Sequence, residues 1–369
     1  MTTLPSDLPA ALVEVPDLVV VPDARLADLT TLRIGGRPHA LVECGTAEAV
    51  AAAVGILDRA GVPLLVLGGG SNLVVAEGGL DLVVVAVRNR GAEFGEDAVR
   101  AGAGLAWDDL VAETVARGLG GLECLSGIPG SVGATPVQNV GAYGVEVAQV
   151  LRRVRLYDRA SGEDRWVEPV ELGLDYRTSV LKNTDRAVVL EVEFVLDPDG
   201  LSEPIRYAEL TSRLGVEPGE RTDAALVRET VLDLRRGKGM VLDGGDHDTW
   251  SAGSFFTNPV VPADRLEAIR ARVVERIGAG AAARMPAFDA PGGVKLSAGW
   301  LIERAGFAKG HPSPSSPARL STKHTLAVTN RGAATADDVI ALAREVRDGV
   351  REAFGVELHP EPVWVGCAI

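Results

Sequence analysis

Apolar and polar positions in the first third of the chain switch between two periods. Val50, Val54 and Leu57 recur at helical spacing behind Thr46, a side chain suited to an N-cap, and Gly61 closes the segment. Residues 63–67 (PLLVL) and 82–87 (LVVVAV) are continuous apolar runs that predict buried strands, and 98–104 (AVRAGAG) predicts a third. Trp107, Leu110, Val111, Thr114 and Val115 mark the inner face of a helix over 107–121. From 150 to 196 the pattern is strand-like, in VLRRVRLYD and RAVVLEVEFVLD, and DPDGLSEP at 197–204 interrupts it. A basic helical segment spans 223–239, and Leu266, Ile269, Val273 and Ile277 define an amphipathic helix over 262–278. The last helix runs from Thr335 to Phe354, with Val339, Ala343, Val346 and Val350 on one face and Thr335 and Asp338 spaced as a capping box. Strands alternating with helices predict a chain of mixed α/β and α+β domains.

At 369 residues the chain has room for two or three such domains at roughly 150 residues each. A net charge of −14 excludes a duplex nucleic-acid binder, which must neutralise phosphates. The longest apolar run is about six residues against the roughly 20 that a membrane span needs, so no membrane partner is expected. The opening MTTLPSDLPAALVEVPD has no basic region and carries Asp7, Glu14 and Asp17, unlike a signal peptide. Cys44, Cys124 and Cys367 lie far apart without a C-x-x-C, which indicates neither a disulfide framework nor a cysteine zinc site and points to a reduced cytoplasm. The five histidines are scattered, so no metal is expected. Only five residues are lysine against 32 arginines, which draws attention to a lysine set among glycines.

Several segments carry candidate chemistry. Gly68, Gly69, Gly70, Ser71 and Asn72 follow a strand directly, where backbone N–H groups can point at an anion without a Cβ in the way. A tight strand-to-strand turn explains the same glycines, and no Gly-Lys-Ser/Thr follows. Gly102 and Gly104 also sit between a strand and a helix, but Trp107 breaks the dinucleotide fingerprint, and this pair is read as structural. The stretch 125–144, LSGIPGSVGATPVQNVGAYG, is glycine-rich and nearly uncharged, and loops of such length in compact domains are usually functional. Its amides suit a pyrophosphate, and Gln138 and Asn139 suit the edge of a planar heterocycle. Arg177, in DYRTS, has the planar fork that pairs a carboxylate, although a surface ion pair is the commoner use. Arg235 and Arg236 read as a solvated helix end, and Lys238 between glycines as a phosphate ligand. Ser254 lies beside Phe255 and Phe256 with no histidine near, so it fits a proton donor in a dry pocket better than a nucleophile. Glu361 stands between two prolines, where poor hydration raises a carboxyl pKa, or where it is an ordinary loop carboxylate.

Taken in order, LGGGSN, SGIPGSVGATPVQNVGAYG, DYRTS, RRGKGMVLD, AGSFFTNP and HPEPVW resemble the UDP-N-acetylenolpyruvoylglucosamine reductases of bacterial peptidoglycan synthesis, over roughly residues 28–366. The resemblance implies a two-subdomain FAD-binding fold of the vanillyl-alcohol-oxidase type plus a C-terminal α+β substrate-binding domain. The expected segments are 1–86 and 87–225 for the two FAD-binding subdomains, 226–357 for the substrate domain, and 358–369 returning to the active site.

The same resemblance implies FAD as cofactor, NADPH as co-substrate, and UDP-N-acetylenolpyruvoylglucosamine as substrate of a cytoplasmic, monomeric enzyme. FAD would be held by residues 68–72 and by Ser126, Ile128, Pro129, Gly130, Gly133, Ala134, Gln138, Asn139, Gly141 and Ala142. Arg177 would bind the enolpyruvyl carboxylate, Ser254 would protonate C2, and Glu361 would assist Arg177. Tyr176, Lys238 and Asn258 would line the substrate or nicotinamide site. The segment 205–216 resembles the extra loop of the longer, type I members, with Tyr207 as the lid residue.

Overall fold

Thr46 caps the first long helix as its sequence requires, its hydroxyl accepting from the Ala49 N–H at 3.1 Å. The structure is a computed structural model that describes residues 7–369. The reading of the chain's opening as no signal peptide rests partly on residues 1–6, which lie outside the described residues. The chain forms two compact units: one holds the residues up to Arg25, then Arg37–Gly70 and Gly79–Gly237, and the other holds Leu26–Gly36, Ser71–Gly78 and Lys238–Ile369.

The first unit is built on two sheets. Strands β1 (Leu18–Val21) and β2 (Pro38–Cys44) pair antiparallel; helix α1 (Ala47–Arg59) then leads to β3 (Leu64–Leu67). Strand β4 (Leu73–Val75) belongs to the other unit, and β5 (Leu80–Val87) returns to lie parallel between β2 and β3. The five C-terminal residues of β5 are all buried, which is why its sequence reads as one apolar run rather than an alternation.

The second sheet is antiparallel. It is made of β6 (Ala92–Phe94) and β7 (Ala98–Gly102), followed after α2 (Trp107–Ala116) and the short β8 (Gly141–Ala142) and β9 (Val145–Glu146) by β10 (Leu151–Asp158), β11 (Asp164–Val167) and β12 (Ala187–Val195). Its strand order is β11-β10-β12-β7-β6. One face buries Val154, Val192 and Phe194; the other carries Arg–carboxylate pairs such as Arg153–Glu193 at 2.7 Å and Arg155–Glu191 at 2.8 Å. Trp107 packs edge-on against Phe194 with ring centroids 5.6 Å apart, fixing α2 on the sheet. Helix α2 stops at Ala116, short of the expected 121, because the chain turns left-handed at Gly118. Helices α3 (Ala208–Leu214) and α4 (Ala224–Gly237) complete the unit.

In the second unit β13 (Val260–Val261) is followed by α5 (Leu266–Ile277), α6 (Ala279–Ala283) and the hairpin β14 (Ala287–Ala290) and β15 (Gly293–Leu296). Helix α7 (Ala298–Ala305), the pair β16 (Ala318–Leu320) and β17 (Val328–Asn330), α8 (Ala336–Phe354) and β18 (Val363–Val365) follow. Val339, Ala343, Val346 and Val350 are wholly buried along α8, and Thr335 and Asp338 form the expected capping box. Strand β18 pairs parallel with β4.

The two units follow different limits from the four segments expected. Helix α4 packs with the first unit, which moves the start of the C-terminal unit from 226 to Lys238. The two short N-terminal excursions, 26–36 and 71–78, belong with the C-terminal half because their backbones hydrogen-bond there: Gly36 N–H donates to Ala76 O, and Ala76 N–H to Val365 O.

Candidate active site

In the first unit the glycine turn and the long neutral loop lie against each other. A Cβ on Gly68 would sit 2.4 Å from Ser131 Oγ, and one on Gly69 2.5 Å from Gly130 Cα. Gly69 is therefore set by a backbone-to-backbone approach of two loops, and Gly68 by the Ser131 side chain. Gly133 meets Ala103 in the same way, and Gly102 and Gly104 press on the backbone of residues 87–89, which keeps that pair structural. The loop is more regular than expected, with a short 3-10 turn at Val132–Ala134. The amides of Gly127, Val132, Gly133, Ala134 and Val140 donate within the protein, the first of them to Asp108. Ser126 is buried, and its hydroxyl donates to Glu123 O. The walls of this cradle are main chain rather than side chain at residues 68, 69 and 130, which fits a pyrophosphate.

Asp108 and Arg235 clamp Gly127 from both sides. Burial alone would raise the Asp108 carboxyl, but bonds from Arg228 and the Gly127 amide hold it below the usual carboxylate range. Arg235 Nη2 donates to Gly127 O at 3.2 Å, and burial lowers its guanidinium pKa. The expectation of a solvated helix end therefore fails for Arg235, whereas Arg236 is exposed and pairs with Asp233. Tyr143, its phenol pushed up to about 12 chiefly by burial, packs edge-on against Tyr207 with centroids 5.3 Å apart. Tyr207 is 43% exposed and stands just ahead of α3.

Arg177 sits at the tip of a tight turn closed by Asp175 and Thr178, with φ +54°. Its guanidinium donates to the carbonyls of Asn139 and Gly141. A side chain at 141 would collide with Arg177 and Glu146, so this glycine makes room for the arginine. Tyr176 lies beside it, its ring centroid 5.6 Å from the guanidinium carbon. Asn139 departs from its expected place as a ligand of the heterocycle: it is 1% exposed, and its amide is engaged by Glu146, Asp175 and Ala148. Gln138, by contrast, is half-buried.

In the second unit Phe255 joins three segments. Its N–H donates to Leu326 O at 2.7 Å, and its carbonyl accepts from Glu361 N–H at 2.9 Å. Phe256 pairs antiparallel with Pro360, and Thr257 N–H donates to His359 O. Ser254 and Glu361 are thus brought onto adjoining rungs of a two-stranded ribbon, both half-buried, above the fully buried rings of Phe255 and Phe256. Asn72 braces the second strand: its Nδ2 donates to Glu361 O at 3.3 Å and its carbonyl accepts from Val363 N–H. Asn258, expected to face the substrate, spends its side-chain oxygen on Ala298 N–H at the start of α7.

The sequence reading missed His324. Its imidazole is held neutral, with its pKa lowered to about 4 by burial first and then by the cations of Lys238 and Lys309. Two lysines and a histidine therefore gather where an anion would be favoured; the one sequence signal was the scarcity of lysine.

Comparison with known proteins decides the family. Residues 246–365 match the family described as UDP-N-acetylenolpyruvoylglucosamine reductase, C-terminal domain, and residues 38–168 match the FAD binding domain. A UDP-N-acetylenolpyruvoylglucosamine reductase of Nocardia farcinica is 66% identical, over 94% of this chain and 89% of the relative. That of Mycolicibacterium gilvum is 58% identical, over 95% of this chain and 97% of the relative. The chain belongs to the UDP-N-acetylenolpyruvoylglucosamine reductase family. The crystal structure of the Thermus caldophilus reductase superposes with a TM-score of 0.64 at 27% identity, covering 94% of this chain and 99% of that one. The expected fold class stands: an FAD-binding domain with mixed α/β content, followed by the family's C-terminal domain. Among the described residues no helix is long and apolar enough to cross a membrane.

Proposed function

We propose that this reductase converts UDP-N-acetylenolpyruvoylglucosamine to UDP-N-acetylmuramate in peptidoglycan precursor synthesis, with NADPH as electron donor. The observation that carries the reading is the backbone pairing of the segment after Ser254 with the segment that ends at Glu361, more than a hundred positions apart in the chain. Bound FAD would supply the hydride-transfer chemistry between NADPH and C3 of the enolpyruvyl ether.

An unassisted vinyl ether is a poor hydride acceptor, because negative charge must build on C2 and its carboxylate. Arg177 supports this reading as the carboxylate ligand, since two carbonyls fix one side of its planar fork. Glu361, in its neutral form, donates a hydrogen bond to the same developing charge. Removing one such donor typically costs about 10²–10³ in rate. Ser254 delivers the proton to C2; a serine hydroxyl is a weak acid, but an enolate is a strong base, so the transfer runs downhill. Lys238, with His324 beside it, meets the diphosphate, Tyr176 and Asn258 are further ligands of the substrate or nicotinamide, and Tyr207 is the lid residue. Residues 68–72 and, apart from Asn139, the loop 126–142 would hold the FAD.

Anaerobic titration of the purified holoenzyme tests this. NADPH should bleach the visible flavin band and UDP-N-acetylenolpyruvoylglucosamine should restore it, one equivalent each. A bleached band that persists in excess UDP-sugar would overturn the proposal.

A further inference from the structure

Asn139 has an unusual set of attachments for a residue in a glycine-rich loop. Its Nδ2 donates to Glu146 Oε2 at 2.8 Å and to Asp175 O at 3.1 Å, and its Oδ1 accepts from Ala148 N–H at 3.0 Å. Both amide hydrogens and the oxygen are thus engaged by protein, and the residue is shut away from solvent. Its backbone is left-handed at φ +44°, a conformation that asparagine tolerates better than most non-glycine residues.

Two features of Asn139, its bond to Asp175 O and its own carbonyl, lead to Arg177. The bond to Asp175 O grips the base of the turn that carries Arg177. The left-handed backbone at 139 aims the Asn139 carbonyl at the guanidinium, and the Gly141 carbonyl follows two residues later. Ser179, just past Arg177, closes the same seam by donating to Val137 O at 2.6 Å, and Lys182 Nζ donates to Arg177 O at 2.7 Å. Asn139, Tyr143 and Arg177 are all non-glycine residues with positive φ in these two facing segments, and such backbone persists only where the surroundings over-determine it.

We propose that Asn139 is a positioning residue for Arg177, locking the loop 137–141 onto the turn 175–178 so that the guanidinium is held in one pose before substrate arrives. The proposal rests on the reading of Arg177 as the carboxylate ligand. It moves Asn139 from the flavin's ligands to the support of the residue that meets the substrate.

The test is a double-mutant cycle on the holoenzyme, read by stopped-flow absorbance of the flavin in two separate half-reactions. Asn139→Ala should keep its flavin and its rate of reduction by NADPH, and slow reoxidation by UDP-N-acetylenolpyruvoylglucosamine by about 10–100-fold, the scale of a misplaced catalytic group. Arg177→Ala should slow reoxidation further, and adding Asn139→Ala to it should change the rate by less than about threefold, because the interaction is already gone. Losses that multiply, a wild-type reoxidation rate in Asn139→Ala, or loss of flavin from that variant would each overturn the proposal. Should Asn139→Ala fail to fold, the near-isosteric Asn139→Asp takes its place in the cycle, with the same outcomes. If Arg177→Ala alone reoxidises normally, the reading of Arg177 falls first, and the cycle shows which of the two ideas has failed.

Discussion

Glu361 donates its backbone N–H to the carbonyl of Phe255 at 2.9 Å, and that one bond ties the C-terminal segment to the strand that carries Ser254. The ring of Phe255 is wholly buried and meets Trp364 edge-on at 6.1 Å, so the ribbon rests on apolar packing rather than on solvent. The segments that carry Ser254 and Glu361 are thereby mounted on a common support.

Ser254→Ala should separate the half-reactions. Flavin reduction by NADPH should stay within about twofold of the wild type, while reoxidation by the UDP-sugar falls by about 10²–10³. Stopped-flow absorbance measures both; equal losses would contradict the role of Ser254 as proton donor.

Gly69→Ala should cost about 1–3 kcal/mol, because the added methyl meets the Gly130 backbone at 2.5 Å and backbone cannot step aside cheaply. Gly91→Ala, with open space at its Cβ, is the control. Thermal denaturation of the two variants and their flavin content should differ accordingly; matched melting curves would show that the close approach is not needed.

His324 gives the protein an acid sensitivity with a definite sign. Its folded pKa of about 4 lies below the usual value of 6.5, so the neutral imidazole favours the folded state. That contribution is complete above pH 6.5 and is lost as pH falls from there toward 4. By linkage it amounts to roughly 1–3 kcal/mol at the acid end. His324→Gln, which never charges, should lose less stability between pH 7 and pH 5 than the wild type. Parallel melting temperatures across that range would refute the assignment.

Tyr207→Ala should weaken binding of the UDP-sugar and leave flavin content and NADPH reduction unchanged, since the exposed ring packs edge-on against Tyr143. An equilibrium titration with the UDP-sugar checks this, and an unaltered isotherm would remove the lid role.

What the sequence made legible was local. The capping box of Thr335 and Asp338 and the buried stripe of α8 follow from spacing within one helix, and both formed. The pairing of β4 with β18 left no trace, because each strand is three residues long and nearly 290 residues separate them. Arg235 was misjudged because a buried arginine and a solvated one look alike in a sequence. The clue lay in its register, four residues past Val231 and eight past Val227, on the buried face of α4. Asn139 stood in a glycine-rich loop where ligand and strut call for the same side chain, and only its partners tell them apart. The Ser254–Glu361 ribbon was reachable through family resemblance but not through periodicity, since its strands are single bridges.

The pairing of β4 with β18 also sets a timetable for biogenesis. Residues 73–75 leave the ribosome nearly 290 residues ahead of their partner, 363–365. An edge made of Leu73, Val74 and Val75 therefore waits without its mate while the intervening chain is made, and this pair cannot close until Val365 has emerged. Deletion of Val363, Trp364 and Val365 alone would leave every other element encoded and still strand that early edge.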